Sequence, residues 1–165
     1  MSKVYFILIP LFSVLLFNSC RYSRESIPGN LSEYIDSWHK AADSANAVDF
    51  FGFMDSTCVY LGTDAGERWS KGEFYKFAKP YFDRGKAWDF DPFDRNITYS
   101  KDKQLAWFDE MLNTWMGVCR GSGVAKYENG NWKLLQYNLS LMIPNEKIKT
   151  VIELMEGTVD PDSEK

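Results

Sequence analysis

The alternation of apolar and polar positions changes period several times along the chain. Leu31, Tyr34, Ile35, Trp38, Ala41, Ala42 and Ala45 recur at helical spacing after Pro28-Gly29, and Asn30 with Glu33 has the form of an N-cap and its capping-box glutamate. A short apolar cluster, Val48 to Met54, predicts another helical turn. Thr57-Cys58-Val59-Tyr60-Leu61 is rich in branched and aromatic side chains and reads as a strand, and Gly62 and Gly66 then punctuate a loop. Ser70 and Glu73 repeat the capping pattern ahead of Phe74, Phe77, Tyr81 and Phe82. They predict a third helix that Pro80 kinks or shortens and Gly85 closes. From Ala87 the period becomes two. Trp88–Tyr99, Leu105–Leu112, Met116–Tyr127 and Trp132–Met142 are predicted strands, the last two joined by a two-residue hairpin turn at Asn129-Gly130. Pro144 opens a terminal helix with Ile148, Val151, Ile152 and Met155 on one side. Helices, a strand, a helix and then a run of antiparallel strands give the α+β class, with helices packed on one face of a curved sheet.

The start of the chain has a different character. Lys3 precedes an apolar run from Val4 to Phe17 that is short for a bilayer span but suits a signal-peptide core. Phe17-Asn18-Ser19-Cys20 resembles the lipobox of bacterial lipoproteins, the alternative being an ordinary cleaved signal. The expected organisation is a lipoprotein signal peptide over 1–19, a tether over 20–29 lipidated at Cys20, one domain over 30–156 and an acidic tail over 157–165. It places the protein in the cell envelope of a Gram-negative bacterium, facing the periplasm or held at the outer membrane, with the lipid as its only membrane contact.

Composition narrows the function. At 165 residues, 45% hydrophobic and 25% charged, the chain has length for one folded domain and too much apolar content for global disorder. An aromatic share of 16% predicts a core or pocket built from rings. With a formal net charge of -4 and scattered basic residues, no phosphate-tracking stripe exists, so nucleic acid is not an expected partner. His39 is the single histidine, which removes HExxH sites and histidine pairs; no metal or cofactor is expected. His39 itself reads as a partly exposed helix histidine. An export route allows a Cys58–Cys119 disulfide, and apolar surroundings allow two buried free thiols instead.

The helix carrying Trp38, the segment Val59-Tyr60-Leu61-Gly62-Thr63-Asp64 and Glu67-Arg68-Trp69 resemble the nuclear transport factor 2-like (NTF2-like) superfamily, and within it the SnoaL-like branch of small bacterial exported proteins. Ala106–Glu110, Arg120–Val124 and Trp132–Ser140 extend the resemblance over residues 30–156. It implies an NTF2-like cone, with a pocket between the concave sheet face and the helices, and often a homodimer through the outer sheet face. The superfamily includes ketosteroid isomerases, dehydratases and polyketide cyclases beside members without known chemistry, so the fold alone does not decide the function. SnoaL-like relatives often carry a histidine where this chain has Asn138, and no family catalytic residue carries over.

Strand arithmetic supplies candidate residues. A two-residue turn at Asn129-Gly130 sets Gln136 opposite Gly123 and Asn138 opposite Gly121. A four-residue turn at Asn113–Met116 sets Glu110 opposite Cys119, Phe108 opposite Gly121 and Asp109 opposite Arg120. One face then gathers Phe108, Glu110, Trp132, Leu134, Gln136 and Asn138 over Gly121, Gly123 and Ala125, whose small side chains leave room for a pocket. Tyr60, Arg68 and Trp69 at the open end complete the candidate ligand set. A single bulge exchanges the two faces. Glu110 is a general base with raised pKa, or a carboxylate satisfied by Arg68 or Asn138. Asp64 is the second candidate base, and its plainer role is to cap the loop around it. The opposite face carries Trp107, Asp109, Arg120, Leu135 and Tyr137, expected to form a homodimer interface, or else a surface pair. Three functions follow: a module binding a small, partly apolar molecule in the cone; a proton-transfer enzyme of isomerase, dehydratase or cyclase type based on Glu110 or Asp64; and a homodimeric interaction module.

Overall fold

In the computed structural model, which describes residues 29–157, Asn30 accepts hydrogen bonds from the backbone N–H groups of Ser32 and Glu33 and starts helix α1 (Leu31–Asp43). Residues 1–19, Cys20, the tether before Gly29 and the tail after Gly157 lie outside the described residues. Asn46 caps α2 (Ala47–Phe53), which buries Phe50 and Phe51. Strand β1 (Met54–Leu61) follows directly, then a tight loop and a short strand β2 (Arg68–Ser70) within the segment expected as loop. The Ser70–Glu73 capping box opens α3 (Lys71–Asp83), which continues through Pro80 near its end. Next come β3 (Asp91–Tyr99), β4 (Leu105–Thr114), β5 (Gly117–Glu128) and β6 (Asn131–Leu141). A 3₁₀ turn (Asn145–Lys147) leads into α4 (Ile148–Met155).

The six strands form one sheet in the order β2-β1-β6-β5-β4-β3. The sheet is mixed, not antiparallel throughout. β1 and β6 run parallel, which the long intervening chain permits, and the other neighbouring pairs are antiparallel. Helices α1 to α3 cover the concave face. Leu31, Ile35, Trp38 and Ala42 from α1 and Phe74, Ala78 and Phe82 from α3 meet Phe108, Leu112, Leu134 and Leu139 from the sheet in one core.

Two details of register correct the strand arithmetic. The β4–β5 connection is a two-residue turn, with Thr114 opposite Gly117, so Glu110 faces Gly121, Phe108 faces Gly123 and Asp109 faces Ser122. That shift is by two residues and leaves the faces unchanged. The β5–β6 hairpin turns at Asn129-Gly130 as expected, both residues at positive φ (52° and 83°), and Lys126 pairs with Lys133. Beyond Ala125–Leu134 a β-bulge at Leu135 slips the register, so Val124 faces Gln136, Gly123 faces Tyr137 and Ser122 faces Asn138. The faces of the rest of β6 are thereby exchanged. Tyr137 and Leu139 are buried in the core, whereas Gln136 and Asn138 lie on the opposite face.

Candidate functional site

Glu110 occupies the middle of β4 on the concave face, where it is 0% exposed. Both carboxylate oxygens are occupied. Oε1 lies 2.7 Å from His39 Nε2 on α1 and 3.0 Å from the Tyr137 hydroxyl on β6. Oε2 lies 2.8 Å from Arg95 Nε and 2.7 Å from Arg95 Nη2. Arg95 also donates to the Ser32 carbonyl and hydroxyl and reaches Asp36 at 2.7 Å, clamping the start of α1 to the sheet. Its inward aim follows from an irregularity in β3, where pairing with β4 shifts between Phe93 and Asn96 and Asp94 takes positive φ (48°). Burial pushes the Glu110 carboxyl up, but the hydrogen bond from His39 and the charge of Arg95 outweigh it and hold the group below its ordinary value. This is opposite in sign to the raised value expected of a buried base. An ionised Glu110 only accepts, so His39 Nε2–H and the Tyr137 hydroxyl donate to it. Burial and the nearby Glu110 charge raise Tyr137 far above the usual phenol range, so it stays protonated.

His39 is 6% exposed, not partly exposed. It belongs to the buried stripe of α1 one residue beyond Trp38, and with Nε2 committed to Glu110, its other ring nitrogen has no partner among the described residues.

The room expected over Gly121 and Gly123 is filled by the chain's own side chains. A Cβ at Gly121 would overlap the Tyr137 hydroxyl, and one at Gly123 would lie 2.6 Å from the Phe108 ring. The free space is nearer the mouth of the cone. A vestibule of about 300 Å³ is walled by Tyr60, Trp69, Phe74, Phe77, Tyr81, Trp88 and Phe90, with Glu67, Trp115 and Met116 at its edges. Several walls are nearly parallel plates: Tyr60 on Phe74 (12°), Trp69 on Phe74 (15°) and Trp69 on Phe77 (23°). Behind Tyr60, Trp88 and Phe90 lies a chamber of about 10 Å³ that also touches Trp38, His39 and Tyr137. A larger groove of about 830 Å³ runs outside the cone between α1, α2 and the β5–β6 hairpin, lined by Lys40, Val48, Phe53 and Trp132 among others. It meets none of the buried polar cluster.

Of the expected ligand residues, Tyr60 and Trp69 line the vestibule. Phe108 and Glu110 are buried behind Tyr137 and line neither space. Trp132 lines the outer groove and donates to the Gly29 carbonyl at 2.6 Å. Arg68 is exposed on β2, and Gln136 and Asn138 face away because of the bulge. Asp64 accepts from the Gly66 N–H at 2.7 Å, the loop-capping role, and is absent from the vestibule wall. Phe74 and Phe82 are core, while Phe77 and Tyr81 of the same stripe open onto the vestibule or its rim. His39, Arg95, Trp88 and Phe90 were not singled out from sequence as site residues. The helical stripe Ile35–Trp38–Ala42 placed His39 at the core edge, but nothing in the sequence marks the irregularity that turns Arg95 inward. Cys58 and Cys119 are free and buried, and burial pushes the Cys58 thiol up to about 12. Among the described residues no group of side chains is arranged to hold a metal ion, and no helix is long and apolar enough to cross a membrane.

Residues 31–144 match the family described as SnoaL-like domain. Solved structures with the same architecture include an NTF2-like protein of unknown function from Pseudomonas putida KT2440, at TM-score 0.58 and 10% identity over 71% of this chain and 87% of that one. A candidate dehydratase of the NTF2-like family from Streptomyces avermitilis aligns at TM-score 0.59 and 11% identity, over 69% of this chain and 94% of that one. A candidate ketosteroid isomerase from Parabacteroides distasonis ATCC 8503 aligns at TM-score 0.57 and 14% identity, over 75% and 94%. Likeness at these identities establishes the fold and leaves the chemistry of each relative its own. Among curated proteins nothing matches.

Proposed function

The chain belongs to the SnoaL-like domain family, and from that premise we propose that it binds a small, partly apolar molecule in the aromatic vestibule of its cone. The supporting observation is the vestibule itself: about 300 Å³ of concave, ring-walled space in the size range of small-molecule sites. Native mass spectrometry of residues 21–165 purified from a bacterial periplasm tests the reading. The expected spectrum carries a co-purified small mass that is lost in Trp88→Ala. Retention of that mass by a folded Trp88→Ala protein counts against the vestibule.

One observation favours a second reading, a proton-transfer enzyme. The His39 ring is held by an ionised Glu110 and touches the inner chamber, so His39 takes the role of base and Glu110 that of orienting group. Asp64 is occupied in its loop and Glu110 is covered by Tyr137. Deuterium exchange at the acidic carbon of indanone, followed by NMR, is expected to be faster with protein than in buffer and to fall to the buffer rate in His39→Gln. No acceleration by the native protein removes this reading.

The proposal extends to the protein's place in the cell. The lipobox-like Phe17–Cys20 segment supports a lipoprotein tethered at Cys20 to the envelope of a Gram-negative bacterium. In cells fed labelled palmitate, the native chain is expected to take up label and sediment with membranes, and Cys20→Ser to do neither. Membrane association that survives the substitution refutes the anchor.

A further inference from the structure

One wall of the groove outside the cone is a single stripe of α1. Tyr34, Ser37, Ala41 and Ser44 recur along it at helical spacing with Lys40 beside them, so the groove follows the helix for about 15 Å from its first turn towards its last. Val48, 83% exposed, and half-buried Phe53 give the facing wall an apolar character. A smaller hollow of about 270 Å³ continues the groove at the start of the helix. Tyr34, Ser37, Phe53, Asn131 and Trp132 line both spaces, and Gly29 lines the hollow. The chain therefore enters the described domain at the mouth of this groove. It is fixed there, because the Trp132 indole N–H donates to the Gly29 carbonyl at 2.6 Å, and it bends at Gly29.

We infer that residues 21–28 fold back from Gly29 and occupy this groove, as an arm of the same chain docked along α1. Length and sequence both fit. Eight extended residues reach about 26 Å, more than the groove requires. Ile27 then stands about 7 Å from Gly29, level with Tyr34 and Ser37 in the part of the groove that Phe53 lines. Glu25 points to the same side of an extended chain and stands about 13 Å out, level with Lys40, which lies about 14 Å along α1 from Leu31. Lys40 is exposed and has no carboxylate partner among the described residues, so the arm brings the charge that the wall lacks. With the anchor proposed at Cys20, docking turns a free arm into a short mount that sets the distance and the attitude of the domain over its membrane.

Trypsin cleavage of the Arg24–Glu25 bond tests the docking, timed by mass spectrometry in each protein against a synthetic peptide of its own residues 21–29. The bond is expected to be cut about tenfold more slowly in the native protein than in the peptide. Ile27→Asp removes the apolar contact from the arm and is expected to restore the peptide rate. Lys40→Glu sets a like charge against Glu25 and is expected to raise the native rate about threefold. Neither substitution touches the core, so the circular dichroism of both variants is expected to match that of the native protein. Cleavage of the native protein at the peptide rate overturns the inference. Slow cleavage that neither variant accelerates places the arm elsewhere and overturns the groove as its site. Protection confined to high protein concentration gives the groove to the arm of a second copy and overturns docking within one chain. The vestibule reading stands on its own test in every case.

Discussion

Glu110 shows how much depends on one buried carboxylate. It joins α1, β3, β4 and β6 through His39, Arg95 and Tyr137, and removing its charge leaves the more exposed Asp36 as the remaining carboxylate beside the Arg95 guanidinium. Glu110→Gln is therefore expected to cost about 3 kcal/mol, measured by urea unfolding at neutral pH. The pH dependence follows from the direction of its shift. Because the folded protein holds this carboxyl below its ordinary value, its contribution is present above the unfolded value of about 4.3 and is lost as pH falls through the folded value. The urea midpoint of the native protein is expected to drop more steeply below about pH 4.3 than that of Glu110→Gln. Identical acid slopes would place the acid sensitivity at other lowered carboxylates such as Asp55, Glu73 and Asp102. From sequence, Glu110 was legible as a concave-face carboxylate because β4 alternates without interruption. Its partners were not, because each comes from a different element and two of the three depend on strand irregularities.

At the level of elements, local signals were legible and long-range phase was not. Asn30, Ser70 with Glu73, and Asn129-Gly130 each act within a few residues of themselves, and each does what its chemistry dictates. The bulge at Leu135 has no glycine or proline to announce it. Its trace is the adjacent pair Leu134-Leu135, where an apolar phase ending at Leu134 gives way to a new one at Tyr137 and Leu139. That slip brings the Tyr137 ring over Gly121, where the missing side chain makes space for its hydroxyl beside Glu110. Gly121→Ala is accordingly expected to destabilise the fold by about 2 kcal/mol and to disturb the near-ultraviolet circular dichroism of the displaced Tyr137. A neutral result would mean that β5 shifts freely away from β6. Gly123 faces the same restriction, since a Cβ there would meet the Phe108 ring and lie 2.9 Å from the Gln136 carbonyl oxygen.

For the whole molecule, the outer face of the sheet remains the proposed meeting surface of two copies. Trp107 is 50% exposed there, with Val118 and Leu105 also exposed and Leu135 half-buried. Asp109 and Arg120 share that face without being opposite each other, so the expected cross-strand pair is replaced by Asp109–Ser122 and Met111–Arg120 neighbours. Tyr137 leaves the expected interface for the core. Light scattering is expected to report a dimer for the native domain and a folded monomer for Trp107→Ala, whereas Tyr137→Ala is expected to lose about 4 kcal/mol of stability. A native monomer would end the dimer proposal. The order of strands also has a consequence in time. β6 is the last strand made and yet lies between β1 and β5, with Tyr60 beside Tyr137. Neither half of the sheet can close on the other until the chain is nearly complete, and the loop that must be gathered spans most of the domain. Until then the aromatic faces of β1 and α3 have no sheet centre to cover them, so the nascent chain passes through a sticky, open stage that ends only when its C-terminal hairpin arrives.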